Sequence, residues 1–275
     1  MNKLTIGLYL PPYPKQFQNK EDKNKYVFCL GAFSDHEIVI FKNNNIQYII
    51  IPYTIDKKLI STYLENIDGL FISGNYPGVY IADEEHKQHY NTLQLIMKKI
   101  LVINKKRPLP VIGECYGYEL LINIIEKKNS YNDSLFTNVN LKIPLFYKKS
   151  IFLDKKYKNN ISFYFLNVLF LMDNYSKTKY LKNDYNIISY LIINKYKMID
   201  ILKHKLYPIY LSKSHTFYDN PVLKDEFLYF MKLSHEYRLL NQEKNDYKFK
   251  NYKFKTIKNS YLYEYEPKIR LYQIN

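Results

Sequence analysis

Short apolar runs alternate with longer segments whose apolar residues recur every three or four positions through the first half of the chain. The first pattern is typical of buried strands, and the second is typical of amphipathic helices. We predict strands over 5–10, 46–51, 69–73 and 109–112, and helices over 25–43, 56–66, from Asp83 onward, and over 116–127. Short strands separated by helices pack in parallel through right-handed crossovers. The pattern therefore predicts an α/β fold whose mostly parallel sheet is covered on both faces.

Two of the predicted helices carry an apolar face, and Asp83 is suited to cap the first of them. The face of the helix after Asp83 consists of Tyr90, Leu93, Ile96, Ile100 and Leu101. The face of the helix over 116–127 consists of Leu120, Leu121, Ile124 and Ile125. We expect both faces to pack on the sheet.

The second half of the chain is richer in strand signals. We predict strands over 143–146, 161–165, 187–193, 198–202 and 207–211, then a helix over 224–240 and an alternating segment over 260–275. Phe227, Phe230, Met231 and Ser234 share helical spacing in that last helix. The chain shows neither an internal repeat nor a Gly/Ser linker, so we expect one continuous domain over 1–275.

Composition narrows the class of protein only slightly. Of 275 residues, 47% are hydrophobic and 24% are charged, which excludes a disordered or collagen-like chain. The net charge of +15 favours anionic partners, but the lysines are scattered, so we expect them on solvated faces. The stretch 244–258 alternates Lys with aromatic residues. Without a recognisable module around it, we predict a surface loop or solvated strand and no nucleic-acid partner.

The number of cysteines and the lengths of the apolar runs indicate in which cellular compartment the protein functions. Two cysteines, Cys29 and Cys115, exclude a disulfide framework and a cysteine-rich zinc site, and we predict neither a metal nor a cofactor. The apolar stretch near the N-terminus is too short for a signal peptide. The longest apolar run, 161–172, is well short of the ~20 residues that span a bilayer. We therefore expect a soluble cytoplasmic protein that does not bind membranes.

The strongest candidate for chemistry is Cys115, in the sequence Gly-Glu-Cys-Tyr-Gly between a predicted strand and a predicted helix. A nucleophile on a tight strand-to-helix turn needs small neighbours, which Gly113 and Gly117 provide. The N-terminus of the following helix favours a thiolate. The backbone N–H of Tyr116 would lie where an oxyanion forms, with a second donor from the turn Gly74-Asn75. The alternative is that Cys115 is a buried small hydrophobic residue.

A thiol nucleophile needs a base, and His215 is the histidine that follows a predicted strand at its carboxyl end. A loop at that end of the sheet can hold an imidazole against the sulfur. The other histidines stand in polar segments or on predicted helices, where we expect a surface position or a satisfied partner: His36, His86, His89, His204 and His235.

The segment GECYGYELL around Cys115 resembles the class I glutamine amidotransferase-like superfamily, together with DGLFISG at 68–74, YPIY at 207–210 and the subsequent His215. Within it, the chain is most similar to the gamma-glutamyl hydrolases, which cleave folate polyglutamates. These share an elbow of the form G-x-C-x-G-x-E-x-L and a YP-x-YG-x-Q-W-H-P-E segment. The resemblance extends over nearly the whole chain. It implies a three-layer α/β sandwich with a central mostly parallel sheet.

The resemblance also implies an activity. Cys115 would attack the carbonyl of a γ-glutamyl bond, His215 would transfer protons, and water would hydrolyse the resulting glutamyl thioester. The expected partner is a small molecule with a poly-γ-glutamate tail; a homodimer is left open. Members of this family are often lysosomal, vacuolar or secreted, whereas this chain shows no leader.

Four departures from the family pattern bear on this activity. Phe217 stands where the family has the carboxylate that orients the imidazole, and Lys213 stands in place of a glutamine. Asn75 replaces the second glycine of the Gly-Gly turn. A histidine that contacts substrate in the family has no clear counterpart in 173–186.

These departures leave three hypotheses. The first is a cysteine hydrolase of folate polyglutamates or related γ-glutamyl peptides. The second is an impaired member that binds a γ-glutamyl ligand or a partner protein without turnover, which Phe217 favours. The third is a glutaminase that hands ammonia to a synthetase, which we rank last because the nearer resemblance is to stand-alone hydrolases and we expect no fused synthetase.

Overall fold

The computed structural model describes residues 3–9, 26–30, 44–72, 84–128, 135–138, 146–149, 151–153, 156–157, 161–164, 168–193, 196–213, 220–241, 254–257 and 270–274. The helices in these ranges are α1 (Ile60–Glu65), α2 (Glu84–Ile103), α3 (Tyr116–Ile125), α4 (Met172–Ser176), α5 (Leu181–Asp184) and α6 (Pro221–Asn241). The strands of the first half are β1 (Thr5–Tyr9), β2 (Tyr26–Leu30), β3 (Gln47–Ile51), β4 (Gly69–Ile72), β5 (Val111–Glu114) and β6 (Thr137–Asn138). The later strands are β7 (Phe146–Lys149), β8 (Ile151–Phe152), β9 (Ile161–Tyr164), β10 (Val168–Leu169), β11 (Tyr185–Ile193), β12 (Tyr196–His204), β13 (Ile209–Ser212), β14 (Phe254–Ile257) and β15 (Arg270–Ile274).

The central sheet of the described part has eight strands in the order β3-β1-β4-β5-β13-β12-β11-β8. The strands from β3 to β13 in this order pair in parallel. The pairs β13–β12, β12–β11 and β11–β8 are antiparallel. The sheet is thus mixed but mostly parallel. The carboxyl ends of β4, β5 and β13 consequently lie side by side at one edge, where parallel α/β sheets bind ligands.

Two separate hydrophobic clusters cover the two faces of this sheet. One cluster packs α1, α2 and α3 against the sheet through residues such as Leu64, Leu93 and Leu121. The other packs α6 on the opposite face through Leu223, Phe227 and Met231. Successive strand residues alternate between the clusters because their side chains point to opposite faces: Val111 belongs to the first and Ile112 to the second. The protein is therefore an α/β three-layer sandwich, as predicted.

Most predicted elements of the central sheet and its helices are present, with ends shifted by a few residues. Among β4, β5 and β13, which end at this edge of the sheet, β5 differs most from its predicted bounds: it runs from Val111 to Glu114 rather than over 109–112. Inside the helices, Leu120 and Leu121 are fully buried and Ile124 and Ile125 are partly buried. The prediction that Leu101 packs on the sheet was wrong, since 39% of its surface is exposed. It lies beyond the stripe formed by Leu93, Ile96 and Ile100.

The predicted helix over 25–43 is wrong at its start. Residues Tyr26–Leu30 form strand β2, which pairs antiparallel with β15, and β15 in turn pairs with β14. The five residues YVFCL are aromatic, β-branched or apolar and suit a strand, but the partner strand lies about 240 residues away, beyond the reach of a local pattern. The remainder of that prediction, 31–43, lies outside the described residues. In the described ranges, no helix combines the length and apolarity needed to cross a membrane.

A buried carboxylate ties α6 to the sheet at the amino end of β4. Asp68 is fully buried, and Arg238 donates to it from Nε at 2.8 Å and from Nη2 at 3.1 Å. His235 Nδ1 lies 3.0 Å from Oδ2 of the same carboxylate, and the backbone N–H of Thr5 donates to that oxygen at 2.7 Å. Asp68 thus joins β1, β4 and the last turns of α6 through charge-assisted hydrogen bonds.

Replacing Arg238 with Met should destabilise the protein by about 3–5 kcal/mol, because it leaves the Asp68 carboxylate buried without its guanidinium. Urea unfolding at neutral pH measures this loss. The matched control is Lys232→Met, at an exposed position of the same helix, where we expect a change within about 0.5 kcal/mol. Equal stabilities of the two variants would show that the Asp68 network does not hold α6.

Candidate active site

Cys115 occupies the single residue between β5 and α3 in an unusual backbone conformation. Its φ is 51° and its ψ is −106°. A positive φ is uncommon for any residue other than glycine, and conformations outside the populated regions cost on the order of 1–3 kcal/mol. Such strain persists only where the surrounding structure enforces it, and it is concentrated at functional sites.

The two glycines that flank Cys115 make this turn sterically feasible. A Cβ on Gly117 would lie 2.5 Å from the carbonyl oxygen of Ile72, at the end of β4. A Cβ on Gly113 would lie 2.5 Å from Leu121 Cδ1 and 3.0 Å from the carbonyl oxygen of Gly117. The start of α3 therefore packs directly on the backbone of β4, and a side chain at either glycine would push the helix away.

Backbone hydrogen bonds fix the turn on both sides. The N–H of Cys115 donates to the carbonyl oxygen of Ser212 at the end of β13, at 2.9 Å. The carbonyl oxygen of Cys115 accepts from the N–H of Glu119 at 3.2 Å, one turn into α3. The backbone N–H of Tyr116 acts on the cysteine sulfur and lowers the pKa of the thiol. The sulfur thus lies at the N-terminus of α3, where the helix dipole favours negative charge.

Burial nevertheless opposes ionisation of the thiol. Cys115 is 7% exposed, and this burial raises the pKa of its thiol above the ordinary value. Lys213 and the Tyr116 N–H act in the opposite direction and lower it, whereas Glu119 raises it. Glu114, the carboxylate next to Cys115 in sequence, is buried on the same sheet face as Ile112, two residues before it. The carboxylate that opposes the thiolate is therefore Glu119.

Lys213 and Glu119 form a buried ion pair beside this turn. The Lys213 ammonium binds Glu119 Oε1, and the two side chains are only 2% and 7% exposed. Lysine is rarely buried to this extent unless it is paired. We expected the lysines on solvated faces, and for Lys213 this prediction was wrong. The sequence contained one indication of this burial: Lys213 directly follows a buried strand, at a position where the family pattern has a glutamine.

A second group missed by the sequence analysis lies on the other side of Tyr116. His86 and His89 are 3% and 0% exposed. The ring of His89 stacks on Tyr9 with centroids 4.6 Å apart and on Tyr116 at 6.2 Å, and His86 Nδ1 lies 3.5 Å from the Tyr116 hydroxyl. The two histidines continue the apolar stripe of α2 at i, i+3 and i+4 spacing toward Tyr90 and Leu93, and this spacing could have revealed their burial.

Two further histidines also have the partners that the sequence analysis allowed for. His204 Nδ1 accepts from the N–H groups of Leu206 and Tyr207, at 3.0 and 3.1 Å, and burial lowers its pKa, which suits this acceptor role. His235 contacts Asp68, as described above. His36 lies outside the described residues.

Of the predicted site residues, Cys115 and Tyr116 share one turn, and Gly113 and Gly117 flank it. Gly74, Asn75 and His215 lie outside the described residues, so the second oxyanion donor and the base stay predictions. Among the residues that the structure describes, no group of three or more His, Cys, Asp or Glu side chains is arranged to hold a metal ion. The described part of the site is a buried thiol with a lysine as its cationic neighbour.

Comparison with known proteins agrees with this fold. Residues 33–126 match the family model described as Peptidase C26, a range that contains β3 to β5, α1 to α3 and the Cys115 turn. This similarity fits the class I glutamine amidotransferase-like superfamily and supports a cysteine peptidase-type hydrolase. No curated protein matches the chain significantly. A solved structure of a ThuA-like protein from Bacteroides uniformis is 9% identical, with a TM-score of 0.43, over 88% of this chain and 93% of that one.

Gly117→Ala should destabilise the protein by about 2 kcal/mol, although alanine is the better helix former, because its Cβ would overlap the Ile72 carbonyl oxygen. Urea unfolding measures the change. The matched control, Asn91→Ala at an exposed position of α2, should be neutral or slightly stabilising. A Gly117→Ala protein as stable as the control would show that close packing of α3 on β4 is not required.

Proposed function

We propose that the protein is a cysteine hydrolase that cleaves γ-glutamyl bonds, with folate polyglutamates as the leading substrate class. The observation that carries this proposal is the strained Cys115 backbone between β5 and α3, flanked by two glycines at which a Cβ would lie 2.5 Å from a neighbouring atom. A structural cysteine needs no such turn, whereas a nucleophile must be lifted clear of the strand that carries it. The match to a peptidase family over the same turn supports the proposal.

The proposed reaction runs in two steps. The Cys115 sulfur attacks the γ-carbonyl carbon, and the oxyanion that forms is stabilised by the N–H of Tyr116, the first residue of α3. The Gly74-Asn75 turn would provide the second donor. The amine leaves with a proton from His215, which follows Lys213 by two residues in the sequence. Water, activated by the same imidazole, then hydrolyses the glutamyl thioester.

The net charge of +15 is compatible with such a substrate, because a poly-γ-glutamate tail carries one carboxylate for each residue. Long-range attraction of a polyanion by a basic protein raises the association rate. The charge supports the class of substrate without distinguishing between head groups.

A second candidate function is ligand binding without turnover. Phe217 removes the carboxylate that would orient the imidazole, and burial raises the pKa of Cys115. Both features reduce the fraction of reactive thiolate–imidazole pairs. Under this alternative, the protein binds a γ-glutamyl ligand or partner at the same turn and does not cleave it.

Cys115→Ala should abolish glutamate release from a folate pentaglutamate, with a loss of at least about 10³-fold, because the substitution removes the proposed nucleophile from the turn. Chromatography of the folate products, together with an assay for free glutamate, measures the effect. Cys29→Ser is the matched control, since it removes the other cysteine of the chain and should keep the wild-type rate.

Three outcomes separate the candidates. Release by wild type and Cys29→Ser alone supports the hydrolase. Binding of the pentaglutamate by both wild type and Cys115→Ala in calorimetry, without any release, supports the second candidate. If the wild type neither releases glutamate nor binds the pentaglutamate, both candidate functions are wrong.

Phe217→Glu should raise kcat/KM at least tenfold, because a carboxylate two residues after His215 is what the family pattern uses to orient the imidazole; loss of such an acid in a catalytic triad costs about 10⁴-fold. The rate is measured with the same substrate. Phe217→Gln, which is similar in size but uncharged, is the control and should give a smaller gain. Equal rates for the wild type and both variants would mean that His215 is not oriented from this position.

A further inference from the structure

The buried ion pair of Lys213 and Glu119 has no role in the reaction described so far. Lys213 extends from the end of β13 toward the first turn of α3, and only 2% of its side chain is exposed. A buried ammonium loses its hydration, so it persists where an anion compensates for that loss. The position of this pair therefore suggests a role beyond support of the fold.

Two backbone contacts bring the ion pair next to Cys115. The Cys115 N–H binds the carbonyl oxygen of Ser212 at 2.9 Å, so the residue after Ser212 lies beside the turn. The Glu119 N–H binds the carbonyl oxygen of Cys115 at 3.2 Å, so Glu119 is one helical turn above the cysteine. An ammonium that reaches from Lys213 to Glu119 consequently lies at the start of α3, close enough to Cys115 for its charge to lower the pKa of the thiol.

We propose that Lys213 is a positioning residue that provides the counter-charge for the Cys115 thiolate, and that Glu119 limits how much of this charge the sulfur experiences. This inference rests on the proposed role of Cys115 as the nucleophile. The proton lost from the sulfur goes to the base, and Lys213 keeps its own proton throughout. The three donors of an ammonium allow Lys213 to bind Glu119 and the thiolate together.

The electrostatics of the three groups agree with this geometry. Burial lowers the pKa of Lys213, but Glu119 and Cys115 outweigh it, so that the pKa lies above its ordinary value and the lysine stays charged at neutral pH. At Cys115, burial raises the pKa, Lys213 lowers it and Glu119 raises it. The lysine and the glutamate therefore act on the sulfur with opposite signs.

Other titratable groups border the turn in the described ranges. Glu114 precedes Cys115 on β5 and faces the other side of the sheet, and His86 on α2 reaches the Tyr116 hydroxyl at 3.5 Å. Tyr118 on α3 donates to the carbonyl oxygen of Ile199 at 3.0 Å, and Asp200 follows on β12. These groups are the same in every variant below, so differences between variants report the Lys213–Glu119 pair.

The test measures alkylation of Cys115 by iodoacetamide across pH 5–10, in a Cys29→Ser background and by mass spectrometry of the Cys115 peptide. Lys213→Gln restores the residue of the family pattern and should raise the thiol pKa. Because only the thiolate reacts, alkylation at pH 7 should then slow by about tenfold for each pH unit by which the pKa rises. Glu119→Gln should lower the pKa and accelerate alkylation. The double variant should return close to the wild-type rate.

The opposite signs distinguish this role from a structural one. Loosening of the fold would expose the sulfur and accelerate alkylation in both single variants, and circular dichroism and urea unfolding detect such loosening. Lys213→Arg, which keeps the charge, should preserve the wild-type pKa. If Lys213→Gln does not fold, acceleration by Glu119→Gln with a lowered pKa still supports the proposal.

Shifts of the same sign in both single variants, or an unchanged pKa in Lys213→Gln, would overturn the proposal. The measurement needs no turnover, so a failure of this proposal can be distinguished from a failure of the hydrolase assignment. Opposite shifts in a protein that releases no glutamate would overturn the hydrolase and leave the electrostatic role of Lys213 standing.

Discussion

The close approach of α3 to the ends of β4 and β5 is the constraint on which the candidate site depends. Gly117 lies against the Ile72 carbonyl, and Gly113 lies against Leu121 and Gly117 itself. These contacts leave one residue for the chain to turn from strand to helix, and Cys115 accepts a φ of 51° to do so. The positions of the sulfur, of the Tyr116 N–H and of Glu119 all follow from this turn.

Buried charges lie at both ends of the central sheet and have different consequences. At the amino end of β4, Asp68 accepts hydrogen bonds from Arg238 and from the Thr5 N–H and lies 3.0 Å from His235 Nδ1, so its charge is compensated and joins three elements. At the carboxyl end of β13, Lys213 has one described carboxylate partner, Glu119, and a thiol nearby. The first network is suited to stability. The second leaves a cation close to the thiol that we propose as the nucleophile.

Local sequence pattern predicts this structure best where the pattern coincides with burial. Strands over 46–51 and 69–73 and the helix after Asp83 are present because a run of apolar residues, or an apolar stripe, needs only the neighbouring layer to cover it. The same reasoning identified Cys115 and Tyr116, since two glycines around a residue between a strand and a helix already predict a tight turn. Local pattern failed at Tyr26–Leu30, where pairing with β15 decided the conformation. It also did not reveal that the buried His86 and His89 pack against Tyr116, because charged residues surround them along α2.

The α/β class, the order of the main strands and helices and the turn that carries the cysteine could all be predicted from the amino-acid sequence, because each depends on residues that are neighbours along the chain. The burial of Lys213 against Glu119, 94 residues away in sequence, and the binding of Asp68 to Arg238 across 170 residues become visible only in the three-dimensional fold. Charge pairs of this kind arise from how layers of the fold meet. Such pairs produce no periodic pattern along the chain, since a lysine on a solvated face and a lysine inside the protein look the same in a sequence.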